Sequence, residues 1–494
     1  MDEKGIGKNE PVVLQELDEN GFLATVYEGT SSGDMSLRQA TGSSTFAEIR
    51  KNGEILQSLI NIFLPTGYPH SVSADYLDYQ IYDTIQAFSS SIVGLFANRA
   101  VLGAVGVGDD SATSTSALFM KILQDSVGRL GTILFAWRLG STLEPECKKY
   151  RFVADLVNDS AYLFDCFTTL FPASKRVKVF CMCMSGALRS ICGVMAGGSR
   201  AALTQHFTDP VKGSIADVNA KDQSQETVIT LLGMLTGSLV VGFVSSEGTQ
   251  MWFTVLSLLS IHLWTNYQAV AHVVARTLNR QRTNIVFSDI VNALPEIEQT
   301  HAADADSARA MSRLLLTPKR TCLKERILES DGLLRWYPTT GSDAIVGHAK
   351  YGSFKSMMEL VPPSISIAEL LEACDSKTSG YVLFFQVLRH SGRVNIRICL
   401  TNNSNITFNP DIRAWVHALL LARKLHAGAK KTNQVFTHPL DAISESRTTV
   451  LKLFDELHIE DALQKAGWEL ERNSVQSSPN PSIKISHIEE LKNV

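Results

Sequence analysis

Residues 227–246 read TVITLLGMLTGSLVVGFVSS, twenty positions without an Asp, Glu, Lys or Arg. After Glu247 a second charge-free run, GTQMWFTVLSLLSIHLWTNYQAVAHVVA, fills 248–275. A hydrocarbon core about 30 Å thick is crossed by about 20 helical residues rising about 1.5 Å each. Both runs reach that length. Buried helices of a soluble core usually keep a polar stripe, which 231–243 lacks. The pair therefore reads as a membrane hairpin, or as part of a polytopic bundle if weaker runs join it. Those runs are 92–108, broken by Arg99; 177–199, broken by Lys178 and Arg189; and the short 130–137. An ionisable residue inside a span is costly and needs a partner. Gly233 and Gly237 have the small-xxx-small spacing that lets membrane helices approach closely. Lys212 and Lys221 precede the hairpin, Arg276, Arg280 and Arg282 follow it, and the turn offers only Glu247. The positive-inside rule then sets both ends on the cytoplasmic side, or its organellar equivalent. Which membrane is involved is not written in these residues.

Composition agrees with burial in an apolar environment. The 494 residues carry 46 basic and 50 acidic side chains, a formal charge of −4, and only 19% are charged. Ordinary globular chains carry about 25%. Disorder and a basic nucleic-acid-binding surface are both disfavoured. The eight cysteines show no repeated ligand spacing, and Cys181-x-Cys183 is a lone pair. They read as reduced, small apolar residues rather than a zinc site or disulfide scaffold. The start, Met1-Asp2-Glu3-Lys4, has neither an apolar signal core nor the acid-poor character of a transit peptide.

The expected fold is mainly α: a polytopic or hairpin membrane helical bundle with a smaller C-terminal α/β domain. Residues 1–64 form a polar leader, with a strand near 12–17 and a short amphipathic helix over 46–64 that stops at Pro65-Thr66-Gly67-Tyr68-Pro69. Residues 65–295 form the helical membrane domain and 296–345 a helical linker. Residues 346–472 form the α/β domain. In it, 381–387 and 394–400 alternate as a hairpin around His390-Ser391-Gly392-Arg393. A helix follows Asp411 as N-cap, and another runs over 448–466 to Gly467. The Ser-, Pro- and Asn-rich 473–494 reads as a disordered tail.

Polar residues within the apolar region are the candidates for a site. Asp75, Tyr79, Asp83 and Gln86 share one helical face. Asp125, Gly128, Arg129 and Gly131 form a D-x-x-G-R-x-G turn, a loop type similar to that between early helices of major-facilitator transporters. Asp155, Asn158 and Asp159 make a compact acidic group that suits a solvated or Arg-paired face better than a hard cation, which wants about six oxygens. The densest set is Arg200, Gln205 and His206, followed by Asp217, Asn219, Lys221, Asp222, Gln225 and Glu226. Asp222 as cap and Glu226 in the first turn would start the 227–246 helix. Functionally, Arg200, Gln205, His206, Asp217, Lys221, Asp222, Glu226, Asp155 and Asp159 are the candidate ligand- or partner-binding residues. Gly103, Gly106 and Gly108 do not match the dinucleotide fingerprint.

The same residues carry a resemblance. Tyr68-Pro69-x-Ser71-Val72-x-x-Asp75-Tyr76 and Tyr79-Gln80-x-x-Asp83-x-x-Gln86-Ala87 resemble the opening of the root UV-B sensitive family, whose region is also called the vitamin B6 photoprotection and homoeostasis domain. Arg99-Ala100-Val101-Leu102, Gly106-Val107-Gly108-Asp109, Gly128-Arg129, Phe135-Ala136-Trp137, Ala154-Asp155 and Asn158-Asp159 continue it. Arg200 to Phe207, Asp217-Val218-x-Ala220-Lys221-Asp222-x-Ser224-Gln225-Glu226-Thr227, Asn266-Tyr267-x-Ala269-Val270 and Thr277-Leu278-Asn279 complete it. Asn98 and Ala104 are mild departures. The likeness covers about residues 65–290 and extends to the family's less regular tail. It implies a membrane-associated protein linked to vitamin B6 homoeostasis and UV-B responses, acting with another family member. It carries over no catalytic residue.

The expectation is thus an integral membrane protein with a scaffold or partner-binding role, surrounded by lipid. No catalytic signature, metal or cofactor is expected. The alternative is a transporter-like protein for a small polar or anionic solute. A Schiff base between Lys221 and pyridoxal phosphate ranks last, because no glycine-rich phosphate cradle lies near that lysine.

Overall fold

The computed structural model describes residues 12–17, 23–29, 35–38, 62–106, 114–171, 173–244, 248–300, 317–388, 390–402, 409–431, 438–472, 475–476 and 481–484. Most of these residues are helical, and a small sheet lies toward the C-terminus. The leader holds β1 (Val12–Leu17), β2 (Leu23–Gly29) and β3 (Met35–Arg38) in one antiparallel sheet. One of these strands was expected; the amphipathic helix over 46–64 lies almost wholly outside the described residues.

Six long helices follow: α1 (Tyr76–Ala104), α2 (Ser114–Leu139), α3 (Cys147–Phe167), α4 (Lys175–Phe207), α5 (Ile215–Phe243) and α6 (Thr249–His272). Residues 1–124, 159–185 and 201–269 form one contact unit, and 125–158, 186–200 and 270–494 a second.

In the first unit α1 and α5 pack through glycine. A methyl group on Gly233 would stand 2.7 Å from Ser91 Cβ, and one on Gly237 2.7 Å from Leu95 Cδ1. The Gly233/Gly237 spacing thus brings the helices close as expected: at Gly233 a Cβ would also meet Phe88 O at 2.9 Å and does not fit, and at Gly237 it would stand 3.2 Å from Ile92 Cα. Ile92, Val93, Phe96 and Ala97 of α1 bury against Cys166 and against Met251, Val255 and Leu259 of α6. Arg99 interrupts an apolar run, and its charge is answered at the end of α5. Its Nη1 donates to the carbonyls of Val241 at 3.0 Å and Val244 at 3.2 Å. Those terminal carbonyls have no partner in their own helix and carry the negative end of its dipole.

Two expectations are corrected here. Among the described residues, the helices long and apolar enough to cross a membrane are α1, α4 and α5. The 248–275 run does form a helix, α6, but it is not one of the three. Freedom from charge is not apolarity: His262, Thr265, Asn266 and Gln268 dilute it. The D-x-x-G-R-x-G segment is no turn; Asp125 to Gly131 lie inside α2. In the second unit a methyl on Gly128 would meet Ser190 Oγ at 2.5 Å and Gly186 O at 3.2 Å. Tight helix packing explains that glycine and offsets its helix penalty of about 1 kcal/mol.

The second unit also contains α7 (Arg280–Thr300), α8 (Pro318–Cys322), β4 (Leu333–Trp336), β5 (Ala344–Tyr351), α9 (Phe354–Met358), α10 (Ile367–Cys374), α11 (Ser376–Ser379), β6 (Tyr381–Val387) and β7 (Val394–Leu400). Helices α12 (Pro410–Lys431), α13 (Pro439–Leu451) and α14 (Ile459–Lys465) complete it. The sheet order is β4-β5-β7-β6, with β5 and β7 parallel. The β6–β7 hairpin pairs as expected, with Gly392 at φ +61° in its turn. Helix α12 is the core: Trp415 is buried, stacks on Tyr351 and donates to Asn284 Oδ1 of α7 at 2.9 Å. His417 is buried beside it, touching Tyr381 Oη and Ser446 Oγ, and burial pushes its pKa down to about 4, so it stays neutral.

Further boundaries differ from expectation. Helix α12 starts at Pro410, a favoured first position, and Asp411 lies within its first turn instead of capping it. The helix expected over 448–466 is split by a π-helical turn at Lys452–Glu456 and by His458 at φ +46°. Within the expected linker, 317–336 carries a short helix, an ionic loop and β4. The expected tail is anchored in two places: Val475 is buried, and Ile483 bridges Thr401.

Candidate functional site

Helix α5 begins eight residues earlier than the capping argument expects. Ser214 is its N-cap and accepts from Asp217 N at 3.4 Å, so Asp222 and Glu226 lie further along the helix. Its first two turns are therefore polar surface ahead of the apolar run. Asp217 Oδ2 accepts the backbone N–H of Thr66 at 2.7 Å and ties down the turn that precedes α1. Ser73 N donates to Phe207 O at 2.7 Å and Asp209 N to Ser71 O at 3.0 Å, a short antiparallel bridge to the end of α4.

Onto this frame the motif side chains converge. His206 Nε2 lies 2.9 Å from Asp75 Oδ2. Tyr76 and Tyr79 pack on Phe207 with ring centroids 5.7 and 5.0 Å away. Gln80 Nε2 donates to Asp222 Oδ1 at 2.8 Å and lies 3.3 Å from both Tyr76 Oη and Gln225 Oε1. Gln225 in turn donates to the carbonyl of Phe63.

The structure thus brings His206, Asp217 and Asp222 into one region of the first unit. Gln205 and Glu226 are exposed on the same helices and Lys221 is half-buried. Arg200 falls in the second unit. Asp155, also in the second unit, pairs with Arg151 on its own helix. Asp159 belongs to the first unit and pairs with His262 of α6 at 2.9 Å, the side chains 4% and 2% exposed. Nine candidates therefore resolve into a clamp (His206 on Asp75, Asp217 on Thr66, Asp222 on Gln80), the buried Asp159–His262 contact, Asp155 buried beside Arg151, and separate positions at Arg200, Gln205, Lys221 and Glu226. The clamp's three placed carboxylates, Asp75, Asp217 and Asp222, all accept internal hydrogen bonds. Among the described residues no group of three His, Cys, Asp or Glu has metal-binding geometry.

The sequence profile of the vitamin B6 photo-protection and homoeostasis domain matches residues 49–293. Protein root UVB sensitive 3 of Arabidopsis thaliana is 30% identical over 454 residues, 90% of this chain and 91% of that protein. The chain belongs to the root UV-B sensitive family. RUS family member 1 of Dictyostelium discoideum is 40% identical over 246 residues, which span 49% of this chain but only 46% of that protein. Protein root UVB sensitive 2, chloroplastic, of Arabidopsis thaliana is 23% identical over 394 residues, 72% of this chain. None of these three names denotes an enzyme. No solved structure matches the chain.

A further cluster in this root UV-B sensitive family chain was missed by sequence reasoning. Lys148 Nζ lies 2.7 Å from Glu325, 2.9 Å from Val273 O and 3.5 Å from Cys322 Sγ. Arg282 Nη1 donates to Glu325 at 2.8 Å, and its Nε to Thr277 O at 2.6 Å. Asn279 Nδ2 donates to Glu146 at 3.2 Å. Burial alone would push the Glu325 carboxyl up, but Lys148 and Arg282 outweigh it and hold it below the usual range. Arg282 is 2% exposed and Arg280 is buried against Asp331 and the Val475 carbonyl. Two of the three arginines that follow the 248–275 run are thus internal to the fold. Lys148 and Glu325 lie 177 positions apart, so no local spacing announces them. The one available signal was Thr277-Leu278-Asn279 in the family motif.

Glu146 in this cluster is pushed up to about 7 by burial, against the pull of Arg282. An exposed glutamate titrates near 4.5. The folded state therefore holds a proton that the unfolded state has released. Its contribution to stability is present below that exposed value and is lost as pH rises through about 7. Glu146→Gln is expected to flatten the fall in thermal midpoint between about pH 5 and about pH 8. An unchanged slope would show that another group controls it.

Proposed function

We propose that this family member is an integral membrane protein that works by binding, as a scaffold in vitamin B6 homoeostasis and photoprotection, and not by catalysis. The observation that carries the reading is the outward face of α5. Leu231, Leu232, Leu235, Leu239 and Phe243 are exposed, Leu239 by 67% and Phe243 by 90%. Soluble monomers rarely expose contiguous apolar patches beyond a few hundred Å². Helices α1 and α4 add Leu77, Ile81, Leu102 and Phe180. Lipid is the surrounding that stabilises such faces, and the glycine contacts supply the close packing that lipid itself does not drive. The hydrogen-bonded clamp and buried ion pairs serve to hold the helices, which is what a binding scaffold requires. The full-length chain is expected to stay with vesicles through an alkaline carbonate wash and to need detergent for extraction. Release into the wash would sink the reading.

The buried Asp159–His262 pair favours a second reading, a transporter-like protein. Ionisable pairs within an apolar bundle often mark solute or proton paths. The carboxylates of the clamp repel anions, so a neutral or cationic solute suits this reading better than an anionic one. Single cysteines placed along α3 and α6 near the pair separate the two: a polar path admits a water-soluble thiol reagent, and a packed scaffold does not.

A further inference from the structure

The first unit holds a cleft of about 460 Å³. Leu77, Ile81 and Ile85 line it from α1, one stripe at four-residue spacing, and Val228 and Ile229 line it from α5. Gln80 and Gln225 supply its polar edge. The volume falls in the range of small-molecule sites, about 300–1,000 Å³. Three features of the cleft limit what fits. The lining is continuous with exposed surface: Leu77, Ile81, Ile85 and Val228 are themselves exposed, and Leu231 and Leu232 follow directly on α5. The cleft lies where α5 passes from Asp222, Gln225 and Glu226 to its charge-free run. The carboxylate of Asp222 is bonded to Gln80 at the polar edge, which disfavours a phosphate there. An occupant is therefore an apolar chain arriving from the side, at the level where a membrane changes from polar to hydrocarbon.

We propose that this cleft takes one acyl chain of a phospholipid from the surrounding bilayer. The proposal rests on the membrane reading above. The chain wedges between α1 and α5 beside the Gln80–Asp222 contact, so lipid occupancy bears directly on the clamp.

The test uses the full-length protein in phosphatidylcholine vesicles doped with a phosphatidylcholine whose acyl chain carries a diazirine. After irradiation, adducts are mapped by mass spectrometry. Adducts at 77–85 and 228–229 are expected to exceed those at 235–243 severalfold. Thr84→Trp, which fills the cleft, is expected to reduce the cleft adducts severalfold while leaving 235–243 unchanged, which also reports correct folding. Ile229→Trp is the second variant, should the first fail to insert. Equal labelling of cleft and outer face, or cleft labelling that persists in both variants, overturns the proposal and leaves membrane insertion intact. Labelling at neither place, in a protein that carbonate washes off, removes the membrane reading and the acyl-chain site with it.

Discussion

Replacing Glu325 by alanine is expected to destabilise the protein by about 3–5 kcal/mol, the usual effect of removing one partner from a buried ion pair. Glu325 answers two cations at once, Lys148 at 2.7 Å and Arg282 at 2.8 Å, with side chains 6% and 3% exposed. Without the carboxylate, both charges stay buried side by side and repel each other. The attraction that holds the start of α3 and the start of α7 to the loop after α8 becomes a repulsion. The conservative Glu325→Gln is expected to behave almost as badly, because shape is kept and charge is lost. Replacing Lys148, Arg282 and Glu325 together by apolar residues of similar volume should cost less than the single alanine, since no buried charge is left uncompensated. Thermal midpoints of the purified protein check all three. A single alanine variant within about 1 kcal/mol of wild type would show that water reaches the cluster.

His262→Leu is the second large effect, about 1–3 kcal/mol, the usual cost of taking a hydrogen bond from a buried polar group. Its imidazole lies 2.9 Å from Asp159 in the interior of the first unit, and leucine takes that contact away from the carboxylate. Asp159→Leu combined with His262→Leu is expected to recover much of the loss, as matched apolar replacements of a pair usually do. If the double variant is as unstable as the single one, the pair is not where the energy lies. The same variants bear on function. A scaffold regains its role when the double variant regains its stability, whereas a protein using the pair for a solute does not.

Local chemistry made much of the fold legible. The β6–β7 hairpin followed from alternating apolar residues about a glycine turn, and the Gly233/Gly237 approach followed from spacing alone. Length and freedom from charge found α5, but the same criterion overrates α6, whose His262, Thr265 and Asn266 side chains are buried against neighbours. Arg99 and Arg189 make the α1 and α4 runs look weaker in the sequence, yet a guanidinium costs little where helix-end carbonyls accept it, as they do for Arg99. The polar cluster was found because its members stand close together in sequence. Their roles were not, since Asp217 and Asp222 act on Thr66 and Gln80, more than a hundred positions away. Lys148, Glu325 and Glu146 were invisible for the same reason: ordinary charged residues become a site only when distant segments bury them together.

Helix α4 has 33 residues, so it is about 50 Å long, against about 30 Å of hydrocarbon. In the membrane proposed above, a rod of that excess leans steeply or projects into the headgroup layer. On that reading an overhang would give its last turn, with His206 and Phe207, a lever arm: a small change in tilt at the bilayer midplane would become a larger displacement where the helix grips the start of α1. Bilayer thickness would then be an input to the protein, read out as tension on the His206–Asp75 contact.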